Sequence, residues 1–431
     1  MRFDIPADLD GLAGYIEPFM ALAGRARWVK RLDILAIEKD RSPYRWKIVA
    51  DYHWLEMAVG FQAEVLAREG RLRPEFVDGL IFTSLRFAAT TVEVHRRLSS
   101  GAQSIMTGRL RDALKAENGF AAIYLELDLA QRIMDSGGDV TFTDFEGTHP
   151  FDYRFKQGDF VGEVECKSLS ADAGRNIHRK DFYRFIDALE PTLVDQRSLD
   201  RKDILLITLD HRLSPATSDQ ERLRLAAAEV LSADGPDQID GSGFTVQRQP
   251  FERALGTTPI SNENELYDAC TNVFGRSLHL SGGLTATGGC VVVMRSLRED
   301  DPSKPMLDAL RKAADQFTRT RPGFIAVQDH GIEPADLMLP HLRRRAGILA
   351  YALFGHYGGD HVASVTVSAF GAVVSAAGGV GTPSFSIPNP TPAYPATASD
   401  APVFLEPLSD QEFANRIGTP LPASNISDLP I

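Results

Sequence analysis

The sequence predicts an α/β protein: a mixed central sheet flanked by helices, with a helical region before it and a flexible tail after it. Three patterns carry this expectation. Apolar residues recur at three- and four-residue intervals through the first hundred positions, strand-like and helix-like runs alternate from about Val140 to Leu353, and a Pro/Ser/Ala-rich stretch begins near Gly378. At 431 residues the chain can bury a sizeable core and has room for two domains plus extensions. The division read from these patterns is a helical region over 1–100, an α/β domain over 101–376 with an insertion near 234–289, and a tail over 377–431.

In the first region, WLEMAVGFQAEVLARE and PEFVDGLIFTSLRFAATTVEVHRRLS have helical periodicity. Trp28, Trp46 and Trp54 all fall here, interleaved with Arg27, Lys30, Arg31, Arg41 and Arg45. Such a mixture suits either core packing or a stacking platform for nucleic acid, and Asp33, Glu38 and Asp40 offset its charge. The segment YLELDLAQRIMDSGGDVTF then reads as a helix, a Gly137-Gly138 break and a strand near Val140 to Phe142. From Phe151 to Ser168 the chain reads FDYRFKQGDFVGEVECKS, two strands joined by a hairpin turn at Lys156 to Asp159. A helix with Phe182, Phe185, Leu189 and Leu193 on one face follows, and Asp203 to Leu209 (DILLITL) is a continuous apolar run of the sort buried in the middle of a sheet. Further helices are expected at Asp219 to Ser232, Met306 to Phe317 and Leu342 to Leu353, and strands at Phe244 to Gln249, Cys290 to Met294 and Phe324 to Val327. The stretch from Gly378 is small, polar and proline-rich, the composition of a segment that cannot bury enough surface to order itself, and FLEPLSDQEFANRIG after it has the look of a brief helix.

The hairpin carries the chemistry. Side chains alternate along a strand, so Val161, Glu163, Glu165 and Lys167 share one face while Val164 and Cys166 take the other. On the first strand Asp152 and Arg154 share a face, with Phe151, Tyr153 and Phe155 opposite. A register placing Asp152 against Glu163 would make Asp152 and Glu165 diagonal neighbours. Packed carboxylates repel and resist desolvation unless paired, and a divalent cation resolves that conflict. Hard oxygen ligands suit Mg²⁺, with Mn²⁺ as the alternative ion. Lys167 would then stand beside the metal-bound water, positioned to orient it or to offset charge developing on a phosphate.

Pro150, Phe151, Asp152 and then Glu165, Cys166, Lys167 resemble the motif of the PD-(D/E)xK nuclease superfamily, with the departure that Phe151 separates proline from aspartate. The resemblance covers about Glu117 to Leu209 and implies a restriction-endonuclease-like fold, metal ligation by Asp152, Glu165 and the Cys166 carbonyl, and Glu126 on the preceding helix as a further ligand or water-holder. It also implies a hydrolase acting on nucleic acid, with DNA favoured over RNA. Composition alone gives roughly one or two D/E-x-K matches. The other match, Asp200-Arg201-Lys202, has no acidic hairpin before it, so context rather than the triplet carries the reading.

A net charge of −12 argues against a surface coated for nucleic acid but leaves room for a local basic groove. Arg175, His178, Arg179, Lys180 and Arg184, close after the Glu-x-Lys strand, are the candidate phosphate contacts, with Asp181 and Asp187 diluting them. The bland alternative is a solvated helix face. His149 and His178 lack the surroundings of a nucleophilic site, and Cys166 reads as a small core residue. Three widely spaced cysteines speak against a disulfide framework. The N-terminus lacks a signal pattern and no run reaches about 18 apolar residues, so the expectation is a cytoplasmic protein without a membrane partner. The N-terminal helices and the tail are the places for a homodimer or protein partner. A non-catalytic nucleic-acid-binding or scaffolding protein that keeps the fold is the alternative to a metal-dependent nuclease. A third reading is a helical interaction protein with an incidental charged strand.

Overall fold

The structure is a computed structural model. It describes the chain apart from residues 257–259, 261, 276–277, 286, 333, 371–372, 375–379, 382, 406–418 and 421–431. The chain divides into two units, one of Met1–Ile37, Val49–Ala173 and Ser303–Ile431, the other of Glu38–Ile48 and Gly174–Pro302. Both are mixed α/β. Among the described residues no helix is long and apolar enough to cross a membrane.

The first unit is built on a six-stranded sheet that begins β1 (Asp139–Phe142), β2 (Tyr153–Gln157), β3 (Phe160–Leu169) and continues through Gly323–Asp329, Val362–Ala369 and Ser384–Pro388. β1, β2 and β3 pair antiparallel, as a two-residue turn around Gly158 (φ 59°) allows. β3 then pairs parallel with Gly323–Asp329, which pairs parallel with Val362–Ala369. The helices Ser303–Ala314 and Pro340–His356 cover one sheet face, where Met306, Leu310, Ala350 and Leu353 meet Ile325, Val327, Val365 and Val367. Spacing of Met306, Leu310 and Ala313 by four and three residues keeps them on one helical stripe, which is why this segment docks as a helix. The Ala121–Asp135 helix buries Ile123, Leu127, Ala130 and Met134 at the same spacing and stops before Gly137, whose φ of 96° ends helical propagation.

In the N-terminal helices of this unit, Trp28 stacks on Phe120 at 5.6 Å and Trp54 packs edge-on to Tyr124 at 5.5 Å. Trp46, in the second unit, is buried as well. The stacking platform is therefore overturned: the rings are core residues, because their apolar area gains more from burial than the flanking cations gain from exposing them.

The second unit has a five-stranded sheet in the order Gln238–Gly241, Phe244–Pro250, Lys202–Leu209, Gly289–Ser296, Leu278–Leu284. The DILLITL strand lies at its centre, not in the sheet that carries the Glu-x-Lys strand. Leu205 and Ile207 pack under the helices Arg179–Arg197 and Thr217–Leu231, while Ile204 and Leu206 face Cys270 and Phe274. A continuous apolar run reports burial on both faces, which any central strand satisfies, and so does not say which sheet it joins. The stretch read as an insertion over 234–289 supplies three of these five strands. What interrupts the first unit between β3 and the Ser303–Ala314 helix is the larger run Gly174–Pro302.

The flexible tail is corrected in part. Ser384–Pro388 adds to the sheet edge against Val362–Ala369, and Phe404, in the short helix Pro402–Leu405, stacks on Phe324 at 4.7 Å with Phe155 at 5.8 Å. Phe385, Ile387 and Phe404 are buried, enough apolar area to order a segment whose average composition is polar. Most of the brief helix expected after it lies outside the described residues.

Candidate functional site

The Asp152 carboxylate and the β3 backbone lock together. The observed register sets Arg154 against Glu163 and Tyr153 against Val164, so the anticipated pairing of Asp152 with Glu163 is wrong by two residues. The ladder stops at Tyr153, and side chains continue it: Cys166 N donates to Asp152 Oδ2 at 2.6 Å, and Asp152 N donates to Glu165 Oε2 at 3.2 Å. Each carboxylate thus accepts a backbone N–H at the other's strand, which holds both at the end of the hairpin. The loop that delivers Asp152 is itself anchored, with Thr143 N donating to Asp152 O at 3.0 Å and Thr143 Oγ1 to Phe151 O at 2.6 Å.

Lys167 Nζ donates to Glu165 Oε1 and, at 2.6 Å, to Gln316 Oε1. Gln316 Nε2 donates in turn to Pro150 O at 2.6 Å. Glu163, on the same face of β3, is not part of the reactive group. It is 1% exposed and accepts from Thr318 N at 2.9 Å and Thr318 Oγ1 at 2.5 Å, which makes it an anchor for the segment after the Ser303–Ala314 helix.

Glu126 reaches the same cluster from the Ala121–Asp135 helix. Arg109 Nη1, on the Ser100–Ala113 helix, lies 3.5 Å from Glu126 Oε2, pairs also with Asp144, and rests over the Phe145 ring at 4.9 Å. Burial first, and then the charges of Asp144 and Glu165, push the Glu126 carboxyl up to about 7 against the pull of Arg109. Burial and the Asp152 charge push Glu165 up to about 8 against Lys167. Asp152 is raised well above the usual carboxylate range by burial and by Glu126. Asp152, Glu165, Glu126 and Asp144 therefore share two cations, Arg109 and Lys167, and burial with mutual repulsion raises the carboxyls of Asp152, Glu165 and Glu126 above their ordinary range.

Cys166 points to the other face, as strand alternation requires. Its Sγ lies 3.8 Å from the Tyr153 hydroxyl, and burial drives the thiol well above its ordinary range. A thiol held protonated is a packing group rather than a nucleophile or metal ligand, which leaves only its backbone carbonyl for ligation. The three cysteines are free thiols.

The carboxylates, the lysine and Glu126 meet in the first unit. Arg175, His178, Arg179, Lys180 and Arg184 belong to the second unit, Arg175 and His178 before the Arg179–Arg197 helix and the other three within its first turns. Arg212 Nη2 lies 2.7 Å from His178 Nε2, and Arg184 pairs with the buried Asp181 at 3.4 Å. The cations act on His279, pushed down to about 3 by burial and then by Arg175, Arg179 and His178. His149 is exposed and packs edge-on to Phe151 at 5.2 Å.

Sequence reasoning missed Arg109, Asp144, Gln316 and Thr318. Asp144 stands eight residues before Asp152 and could have been noticed as a further acid in the same loop. Gln316 gives no local signal, since it reaches Lys167 across 149 positions. Among the described residues no group of three or more His, Cys, Asp or Glu side chains is set to hold a metal ion. Compared with protein-family models, with curated proteins and with solved structures, the chain matches none.

Proposed function

We propose that this chain is a metal-dependent nuclease of the PD-(D/E)xK type, hydrolysing phosphodiester bonds, with DNA favoured as substrate and a restriction-endonuclease-like fold in the first unit. One observation carries the reading: Asp152 from the loop before β2, Glu165 and Lys167 from β3 and Glu126 from the preceding helix come together in a largely buried cluster with more acid than base. The mixed sheet flanked by helices supports the fold assignment.

Carboxylate oxygens are the donor type a hard divalent cation takes, and Asp152 and Glu165 supply two such groups, not a complete ligand set. Asp152 and Glu165 each keep carboxylate lone pairs beyond the backbone and lysine bonds described above, and acids that hold protons at neutral pH can exchange them for a cation. Asp152 and Glu165 would hold Mg²⁺ or Mn²⁺, with the Cys166 carbonyl as the third ligand that the resemblance implies and Glu126 assisting. Such an ion supplies Lewis-acid activation of the phosphate and of a water at neutral pH. Lys167 contributes positive charge where the phosphate gains negative charge, and it orients the attacking water by donation. Glu126, near 7, is suited to take a proton from that water. Hydrolysis adds water across one P–O bond and leaves a phosphate on one product and a hydroxyl on the other. Arg175, His178, Arg179, Lys180 and Arg184 would supply phosphate contacts, which carry no sequence information.

The rival reading is a nucleic-acid-binding or scaffolding protein without catalysis. Cleavage of single- and double-stranded DNA and RNA with Mg²⁺ or Mn²⁺, by wild type, Lys167→Ala and Asp152→Ala, separates the two. The nuclease reading expects metal-dependent cleavage lost in both variants. Binding without cleavage under either ion supports the rival.

A further inference from the structure

A lysine on a four-carbon stem is a mobile charge unless something holds it. Lys167 is held twice, by Glu165 and by Gln316 Oε1 at 2.6 Å. The polarity of the amide is dictated on both sides. An ammonium group only donates, so the Gln316 oxygen must face Lys167, and a peptide carbonyl only accepts, so the Gln316 nitrogen must face Pro150 O, also at 2.6 Å. One amide therefore links the amine to the peptide two residues before Asp152.

The segment that presents Gln316 is over-determined. The Ser303–Ala314 helix is docked by Met306, Leu310 and Ala313, and Phe317 is buried after it. Residues 316 and 318 then reach Lys167 and Glu163, which share one face of β3. Glu163 N also donates to Pro322 O at 3.0 Å. Between these anchors Arg319 has φ 60°, the only non-glycine with positive φ among the described residues, and Tyr394 Oη donates to its carbonyl at 2.7 Å. A side chain at left-handed φ persists only where its surroundings impose it.

We infer that Gln316 is the positioning residue for Lys167, an inference that rests on the nuclease reading above. By taking one N–H and leaving Glu165 the second, Gln316 aims the third donor of the ammonium group at the place where a water or phosphate oxygen would stand. It also couples that aim to the loop carrying Asp152, so the amine and the first carboxylate move as one body.

The test is steady-state cleavage of a DNA duplex with Mn²⁺ by wild type, Gln316→Met, Gln316→Glu and Lys167→Ala, each followed over pH 5.5 to 9.5. Gln316→Met keeps the bulk and loses both bonds. It is expected to lower kcat by roughly tenfold or more with KM nearly unchanged, since orientation and not binding is lost. Gln316→Glu keeps an oxygen toward the amine and adds a charge that makes proton loss from every neighbour harder. It gives up the donation to Pro150 O, so it should retain more of kcat than Gln316→Met without reaching wild type, and it should move the pH profile upward by about half a unit or more. The Glu variant also keeps the test alive should the Met variant fold poorly. Wild-type kcat and an unmoved pH profile in both Gln316 variants, with Lys167→Ala inactive, would overturn the inference alone. Wild type no more active than Lys167→Ala would overturn the nuclease reading and the inference with it.

Discussion

Replacing Glu165 by Gln in the metal-free protein should flatten the dependence of stability on pH. The folded chain holds the Glu165 proton to about 8, where an ordinary glutamate releases it near 4.5. A raised carboxyl favours folding fully below the unfolded value, and that contribution is lost as pH climbs through the folded one. The span from 4.5 to about 8 sets a ceiling of about 5 kcal/mol for this one group, at about 1.4 kcal/mol for each pH unit. Asp152 and Glu126 share the same repulsion, so roughly half of that is the better expectation for a single substitution. Gln keeps the shape but can offer only one acceptor to Asp152 N and Lys167, so the slope, not the absolute stability, is the quantity to compare. Urea unfolding in EDTA at pH 5, 7 and 9, followed by tryptophan fluorescence, reads it, since Trp28 and Trp54 are buried in the unit that carries the cluster. Wild type should lose several kcal/mol from pH 5 to pH 9 and recover most of it with Mn²⁺, whereas Glu165→Gln should lose about 2 kcal/mol less. Subtracting the variant also removes the general self-repulsion of a −12 chain. Parallel curves for the two proteins would refute the assignment of this repulsion to Glu165.

Phe404→Ala should cost about 3 to 5 kcal/mol, read as a lowered unfolding midpoint, because the ring is fully packed against Phe324 and Phe155. Arg319→Val should destabilise by about 1 to 3 kcal/mol, since a β-branched residue resists positive φ, while Arg319→Gly should stay close to wild type. Comparing the melting temperatures of the two separates backbone strain from loss of the side chain. Lys180→Glu combined with Arg184→Glu should weaken duplex binding and reduce its salt dependence by roughly one to two units of slope, while the metal-dependent rate at saturating substrate holds. An unchanged salt slope in a fluorescence-anisotropy titration would move the phosphate contacts away from the Arg179–Arg197 helix.

Local chemistry was legible in the residues and long-range assembly was not. The hairpin, the Ala121–Asp135 helix and the Ser303–Ala314 helix follow from periodicity, because each is an amphipathic element that buries one stripe. That Glu165 and Lys167 share a face follows from strand alternation, whereas Asp152 is placed through a register that is off by two residues and Glu126 is named only through the family resemblance. Which sheet Asp203 to Leu209 enters could not be anticipated, since an apolar run fits the centre of any sheet. Phe385, Ile387 and Phe404 show why composition misleads: a few buried side chains order a segment that is polar on average. Gln316 and Arg109 escaped because their partners are brought near only by the docking of separate helices.

The most direct test of the central claim is single-turnover cleavage of an end-labelled DNA duplex by identically purified wild type and Lys167→Ala, with Mn²⁺ and with EDTA. The account predicts cleavage by wild type only with the ion, and Lys167→Ala slower than wild type by roughly a hundredfold or more. Equal rates for the two proteins, or a wild-type rate untouched by EDTA, would contradict it.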